Sequence, residues 1–363
     1  MANGEKSLAA DRPLRLHLGH HFYGAGNLGD DFMLAGFLAA LRTLAPGARC
    51  TCCVPFPLEP LRQRFPAIEW LPCDEPHRAR AIGECDVWLG LGGSPFQSAQ
   101  SRWFIDHLLG DAALCAHAAK PMFFLGVGVQ TTAELEVPDV RRLCALAAQI
   151  WTRDAASATR LEALQTGVTV TAAADLAHLY FRATPPPPAT PGRLTLVANF
   201  DYAAWPGQDA ALQALDALPA TDRVWLAQES RDLPGAERAL YAALPAPMRA
   251  RWRLVAPEAP GEELAGVLGR WPSGEWLVTA RYHAALAGAW SGAKVVVLAT
   301  NEKLRAAARA LGAPEIPPDA DAATVARALA AATPAAPPSV EAERAFAACA
   351  DFVNRAAGVS RSC

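Results

Sequence analysis

The stretch "HFYGAGNLGDD", residues 21–31, decides how the chain is read. The apolar run "LRLHLGHHF" before it reads as a strand, and "FMLAGFLAALRTL" after it reads as a helix. Residues 21–31 are therefore a strand-to-helix turn carrying Gly24, Gly26 and Gly29. Glycine permits a tight turn and the close approach of another group. The helix start behind it offers unpaired N–H groups to an anion. The spacing Gly24-x-Gly26-x-x-Gly29 copies a dinucleotide-binding fingerprint. Asp30 and Asp31 argue against that reading, because they stand where a pyrophosphate needs positive charge.

Outward from this turn the chain alternates strand-like and helix-like segments. Strands are expected at 14–22, 50–55, 67–72, 85–91, 121–127 and 168–172, with helices at 30–43, 58–65, 99–118, 138–149 and 155–166. The run "RATPPPPATPGR", 182–193, interrupts them. Four consecutive prolines favour an extended segment without internal hydrogen bonds. The alternation then resumes with "RLTLVANF", "DRVWLAQE", "RWRLVAP", "GEWLVTA" and "AKVVVLAT" as strands. Buried strands joined by helical crossovers make parallel sheets. The expected fold is α/β, with two Rossmann-like domains facing a cleft. The N-terminal domain is expected at 13–183, the proline-rich linker at 184–192 and the C-terminal domain at 193–333. A last helix, 338–358, is placed back on the N-terminal domain. A length of 363 residues suits two domains of roughly 150 residues each.

Composition excludes some classes of function. A net charge of −3 makes no electrostatic case for nucleic acid. The longest apolar stretch, 284–300, is broken by Ser291, Gly292 and Lys294, so no transmembrane segment is expected. The start "MANGEKSLAADRP" has no apolar signal core. The nine cysteines, at 50, 52, 53, 73, 85, 115, 144, 349 and 363, are odd in number, and most lie in apolar contexts, as small core hydrophobes do. A zinc site is not expected on that spacing, and a reducing cytoplasm is.

Chemistry gathers at strand ends, where open α/β sheets bind ligands. In "IWTRDAASATRLEALQTGV", 150–168, Arg153 ends a strand and Asp154 suits a helix N-cap. In "WLVTARYHAALAGAWSGAKVVVLATNEKL", 276–304, Arg281 and His283 follow one buried strand and Lys303 follows the next. A guanidinium, an imidazole and a helix start together suit an anion. The blander reading of each is a surface ion pair, a cap or a structural histidine. "LGLGGSPFQS", 89–98, and "FFLGVGVQ", 123–130, are glycine-bearing strand ends facing the same crevice.

Taken in order, these motifs resemble the polysaccharide pyruvyl transferase family. Its "GxxNxGD" loop is matched by Gly24, Asn27, Gly29 and Asp30. Its glycine cluster is matched by Gly92-Gly93 and its "GxG" strand end by Gly126-Val127-Gly128. Its "RD..S...L" run is matched by Arg153, Asp154, Ser157 and Leu161, and its "RyHa" signature by Arg281-Tyr282-His283-Ala284, followed by Lys303. Two positions depart from the pattern: "LGGSPF" lacks a third glycine, and "ADLAHL" has Leu176 where proline is common.

The resemblance implies a fold similar to the GT-B glycosyltransferases and phosphoenolpyruvate as donor. It implies a pyruvate ketal built on a sugar of a polysaccharide or lipid-linked precursor, with release of phosphate. Arg153, Arg281, His283 and Lys303 would bind the donor. Gly26, Asn27, Asp30, Gly93 and Ser94 would face the acceptor, the loop glycines clearing room for it. His283 would be the general acid and Asp30 the general base, with Asp31 second in line. Arg281 would stabilise the reacting centre. No metal or cofactor is expected, and the location is cytoplasmic, compatible with a peripheral place at the inner membrane. A nucleotide-sugar glycosyltransferase, with Glu302 on the ribose, and a non-catalytic sugar-binding relative are the alternatives.

Overall fold

The structure is a computed structural model that describes residues 12–97, 102–129, 135, 137–199, 208–231, 235–256 and 261–360. The first sheet has seven strands: β1 (Arg15–Leu18), β2 (Arg49–Val54), β3 (Ile68–Pro72), β4 (Val87–Leu91), β5 (Met122–Val127), β6 (Ala147–Thr152) and β7 (Thr169–Ala172). Their order across the sheet is β3-β2-β1-β4-β5-β6-β7, and every pairing is parallel. The second sheet contains β8 (Thr190–Val197), β9 (Asp222–Leu226), β10 (Arg253–Val255), β11 (Gly274–Thr279), β12 (Lys294–Leu298) and β13 (Glu315–Ile316). Its order, β10-β9-β8-β11-β12-β13, repeats the scheme of the first, again wholly parallel. The strand order reverses between β1 and β4, and between β8 and β11. Loops at the carboxyl ends of these strands diverge there and leave a crevice.

The elements form for local reasons. Strands β4 (VWLGL) and β5 (MFFLGV) are buried at every residue, as two-sided central strands must be. Helix Leu28–Leu44 starts at Asn27, whose side chain accepts from the Gly29 amide, and carries Asp30 and Asp31 in its first turn, where acids suit the helix dipole. Helix Glu302–Leu311 is capped by Asn301 and ends at Gly312 in the left-handed region.

Several segments differ from the sequence reading. Residues 147–149, assigned to a helix, belong to β6, after a helix that ends at Leu146. The Ala-rich "ALAAQ" has helical propensity, but pairing with β5 and β7 overrides it. The extended segment after the prolines stops at residue 189, because Thr190 already pairs with Gly274 in the second sheet. Helix Ala177–Ala183 and the two-residue β13 were not anticipated.

One apolar cluster runs continuously between the two sheets. It joins Phe32, Phe37, Trp151, Phe181, Leu226, Leu286, Val297 and Phe352. The long helix Ser339–Ser360 comes after the second sheet in sequence but packs on the first. Its Phe352 meets the rings of Phe37, Phe123 and Trp151, and Asp351 accepts from Trp151 Nε1 at 3.1 Å. An apolar interface of this kind holds the two halves in register, so the cleft between them is a built feature. Among the described residues no helix is long and apolar enough to cross a membrane.

Candidate active site

A cleft of about 670 Å³ opens at the carboxyl ends of both sheets. The first unit contributes Phe22, Asn27, Asp30, Gly93, Ser94, Trp103 and Phe104; the second contributes Asn199, Glu229, Arg231, Arg281, Tyr282, Asn301 and Lys303. The loop after β1 fastens directly to the second unit. Ser230 donates its amide to Gly26 O at 2.8 Å, Gln228 Nε2 reaches Asn27 Oδ1 at 3.4 Å, and Asn27 bridges Glu229 through the backbone.

That fastening corrects the expected use of the loop glycines. Gly26 has φ +108°, and a Cβ on it would meet Ser230 and Glu229. A Cβ on Gly24 would overlap Leu61, and one on Gly29 would overlap the His283 ring. These glycines make room for the protein's own second unit and core. Gly26 is not among the residues lining the cleft, and the space it clears is filled by Ser230 and Glu229 instead of an acceptor.

Asn27 and Asp30 do face the cleft. Asn27 Nδ2 donates to Asp30 Oδ2 at 3.0 Å. Burial pushes the Asp30 carboxyl up to about 7; Lys303 and Arg231 oppose the rise, while Asp31 and Glu229 add to it. Asp31 has a different task. It is fully buried, binds Arg64 at 2.6 Å and accepts the Gly24 amide at 2.7 Å. It holds the loop and is too enclosed to be the base, so the second-choice assignment falls.

The cations sit in two layers. Lys303 lines the cleft, and burial pulls its ammonium down to about 7, helped by Arg153 and Arg281 and opposed by Asp30 and Asp175. Arg281 lines the cleft beside it, with its Nε donating to Glu237 Oε1 at 2.7 Å. Glu237 is wholly buried, and burial raises its carboxyl although Arg281 works against that. Arg153 lies one layer back, its side chain 1% exposed. Its guanidinium makes long contacts to Gly93 O (3.5 Å) and Ser94 Oγ (3.4 Å), and its Nε lies 3.6 Å from Asp154 Oδ2 with no hydrogen-bond partner among the described residues. Gly93 and Ser94 stand between it and the cleft.

Tyr282 ties these cations together and was not singled out by the sequence reading, although it stands inside the "RYHA" motif. The Arg153 guanidinium lies 5.0 Å from its ring centroid and the Lys303 ammonium 5.2 Å. Cation–π attraction lets two like charges share one aromatic plate.

His283 also occupies the second layer, 4% exposed and not among the residues lining the cleft. Its Nε2 is 3.4 Å from Asp175 Oδ2, and both atoms are buried without a hydrogen bond among the described residues. Burial lowers the imidazole's pKa; Asp175 opposes this, and Lys303 and Arg153 reinforce it. Asp175 meets the cost of burial, but His283, Arg153 and the Ala177 amide hold its carboxyl well below the usual range. Orphaned polar atoms in a core need an explanation, and this pair sits directly behind the cleft cations. Asp175 was missed; its only sequence signal was the "ADLA" segment.

Glu302, the acid offered for a ribose, is taken up elsewhere. It binds Arg309 at 2.6 Å and Arg305 at 3.4 Å. Trp103, 54% exposed, stands at the mouth of the cleft with Phe22 and Phe104. An exposed indole beside polar groups is a surface on which a sugar face can stack.

Two parallel Rossmann-like sheets with a shared cleft define a GT-B-like enzyme fold. Solved structures agree. HepE of Anabaena in complex with UDP-glucose is 10% identical over 97% of this chain and 98% of its own, with a TM-score of 0.57. UDP-GlcNAc 2-epimerase of Neisseria meningitidis bound to UDP-GlcNAc is 10% identical over 95% and 99%, at 0.58. The UDP-GlcNAc 2-epimerase of Methanocaldococcus jannaschii is 10% identical over 90% and 95%, also at 0.58. At such identities the likeness is one of fold. No curated protein sequence matches significantly. The sequence model of polysaccharide pyruvyl transferases matches residues 27–302, and the chain belongs to that family of transferases.

Proposed function

We propose that this enzyme takes phosphoenolpyruvate as donor and builds a pyruvate ketal on a sugar of a polysaccharide or its lipid-linked precursor. The observation that carries the reading is the division of the cleft. The second unit presents Arg281 and Lys303; the first presents Asn27 and Asp30 and sets Arg153 one layer back, behind Gly93 and Ser94. A donor with one carboxylate and one phosphate needs several cations, and guanidinium forks suit both groups. An acceptor hydroxyl needs a base, and a carboxyl poised near 7 suits that task at neutral pH.

In the first step a proton goes to the methylene carbon of the donor, leaving an oxocarbenium-like centre at the neighbouring carbon. A sugar hydroxyl adds there and gives its proton to Asp30. The carbon–oxygen bond to the phosphate breaks, phosphate leaves with the electron pair, and a second hydroxyl closes the ketal, its proton passing to the departing phosphate. The first proton is assigned to His283, which would have to turn toward the donor from the layer behind the cleft, where Asp175 stands 3.4 Å from its Nε2. Before the donor binds, burial disfavours the charged imidazole, with Asp175 opposing. The donor's negative charges favour the protonated form at the moment an acid is needed. Transfer by this route uses no metal or organic cofactor, and the enzyme works in the cytoplasm.

The nucleotide-sugar alternative draws on the fold of the neighbours. It loses its ribose-binding candidate, because Glu302 is held by Arg309 and Arg305. The test is incubation with phosphoenolpyruvate and a panel of glycans, monitoring phosphate release and acceptor mass, with UDP-sugars in parallel. Phosphate release with a pyruvylated glycan is expected. Sugar transfer from a UDP-sugar, with no turnover of phosphoenolpyruvate, would overturn the reading.

A further inference from the structure

Beside the cleft, three metal-ligating side chains from three separate segments converge. His21 comes after β1, Cys73 after β3, and His107 lies in helix Arg102–His117. Their ligand atoms lie within 4.8 Å of one another. No spacing rule could find this set, because the three positions are brought together by the sheet and its crossover helix.

Two observations point to a ligand. The Nδ1 of His21 is buried with no hydrogen-bond partner among the described residues, although the residue is only 2% exposed. A buried ring nitrogen left empty costs free energy unless something fills it. His107 is prepared in the manner of a metal ligand. Its Nε2 lies 3.3 Å from Gly19 O and 3.5 Å from Asp111 Oδ2. A carbonyl only accepts, so Nε2 carries the hydrogen and Nδ1 keeps a free lone pair. That outer hydrogen bond is the usual device for aiming a metal-binding imidazole. The two rings meet edge to face at 4.1 Å.

We propose that His21, Cys73 and His107 bind a zinc ion, with the fourth position open to water. Two imidazoles and one thiolate suit zinc's borderline softness and tetrahedral preference. The surroundings tolerate the added charge. Arg78 is the nearby cation, and it is paired with Asp111 through Nε at 2.9 Å. Asp74, next to Cys73, adds a carboxylate. Each imidazole offers one ring-nitrogen lone pair. Zinc enters by displacing the Cys73 thiol proton: the S–H bond breaks, the S–Zn bond forms and the proton goes to solvent. The ion would clamp the β1 loop to the helix that carries Trp103, whose ring packs on His21 at 4.6 Å.

The experiment uses the full chain, stripped of metal and titrated with Co²⁺ as the spectroscopic probe. One equivalent should produce thiolate-to-cobalt charge-transfer absorption, and Zn²⁺ should abolish it by competition. Cys73→Ala should lose the band, and His107→Gln should weaken cobalt binding roughly tenfold or more. Zn²⁺ should raise the melting temperature of the wild type and leave that of Cys73→Ala unchanged. If Cys73→Ala fails to fold, Cys73→Ser and His107→Gln decide. Absence of the band in the wild type, or its persistence in the Cys73 variant at unchanged affinity, would overturn the proposal.

Discussion

Replacing Arg281 by alanine changes two things, and the structure separates them. The guanidinium lines the cleft, and its Nε also neutralises Glu237, which is wholly buried 2.7 Å away. Removing one partner of a buried pair costs about 3–5 kcal/mol, because the other charge is left stranded. Burial already raises the Glu237 carboxyl with Arg281 opposing; without Arg281 it must rise further. A carboxyl whose folded pKa exceeds its unfolded value binds more protons in the folded state, so stability falls as pH rises through that window. Arg281→Ala should therefore melt well below wild type at pH 8 and recover much of the loss near pH 5. Adding Glu237→Gln removes the stranded charge and should restore most of the stability at pH 8. It should not restore donor binding, since a hydrogen-bonded charge worth about 1.5–3 kcal/mol is still missing. Thermal melts at both pH values, with calorimetric titration of phosphoenolpyruvate into both variants, make the comparison. Recovery of donor affinity in the double variant would show that Arg281 acts only by holding Glu237, and the donor assignment would fail.

Three further outcomes are expected. His283→Asn should keep donor binding within about tenfold and lose roughly 10²–10⁴ in turnover, the range for a general acid; a destabilised variant with full turnover per folded molecule would make His283 structural. Gly29→Ala puts a methyl group into the His283 ring, so the imidazole must move; a variant with wild-type melting and rate would show that Gly29 does not set that position. With Asp30 pushed up to about 7 as base and Lys303 pulled down to about 7 as donor cation, kcat/KM should be bell-shaped around neutrality. Arg231 is one of the charges holding the Asp30 value down, so Arg231→Gln should move the acidic limb to higher pH; a pH–rate profile with that limb unmoved would remove Asp30 as the titrating base.

Much of the fold was legible in the sequence because its signals are local. Fully apolar runs such as "VWLGL" and "VVVL" can only be central strands, and the helices between them require parallel crossovers. The turn "GAGNLGDD" announced a strand-to-helix junction, since Asn27 caps the helix behind it. Arg281, Lys303, Asn27 and Asp30 were legible for the same reason: each stands at a strand's carboxyl end or a helix start, where the sheet topology dictates that a crevice opens. The partner of each side chain was not legible, because it depends on residues far away in the chain. Sequence could not say that Gly26 yields to Ser230 and Gly29 to His283, or that Asp31 is spent on Arg64. Nor could it say that Arg153 and Lys303 share the ring of Tyr282, or that Asp175 stands behind His283. Several of those pairings join the two units across the cleft, and only the packing of one sheet against the other decides which charge is exposed and which is buried.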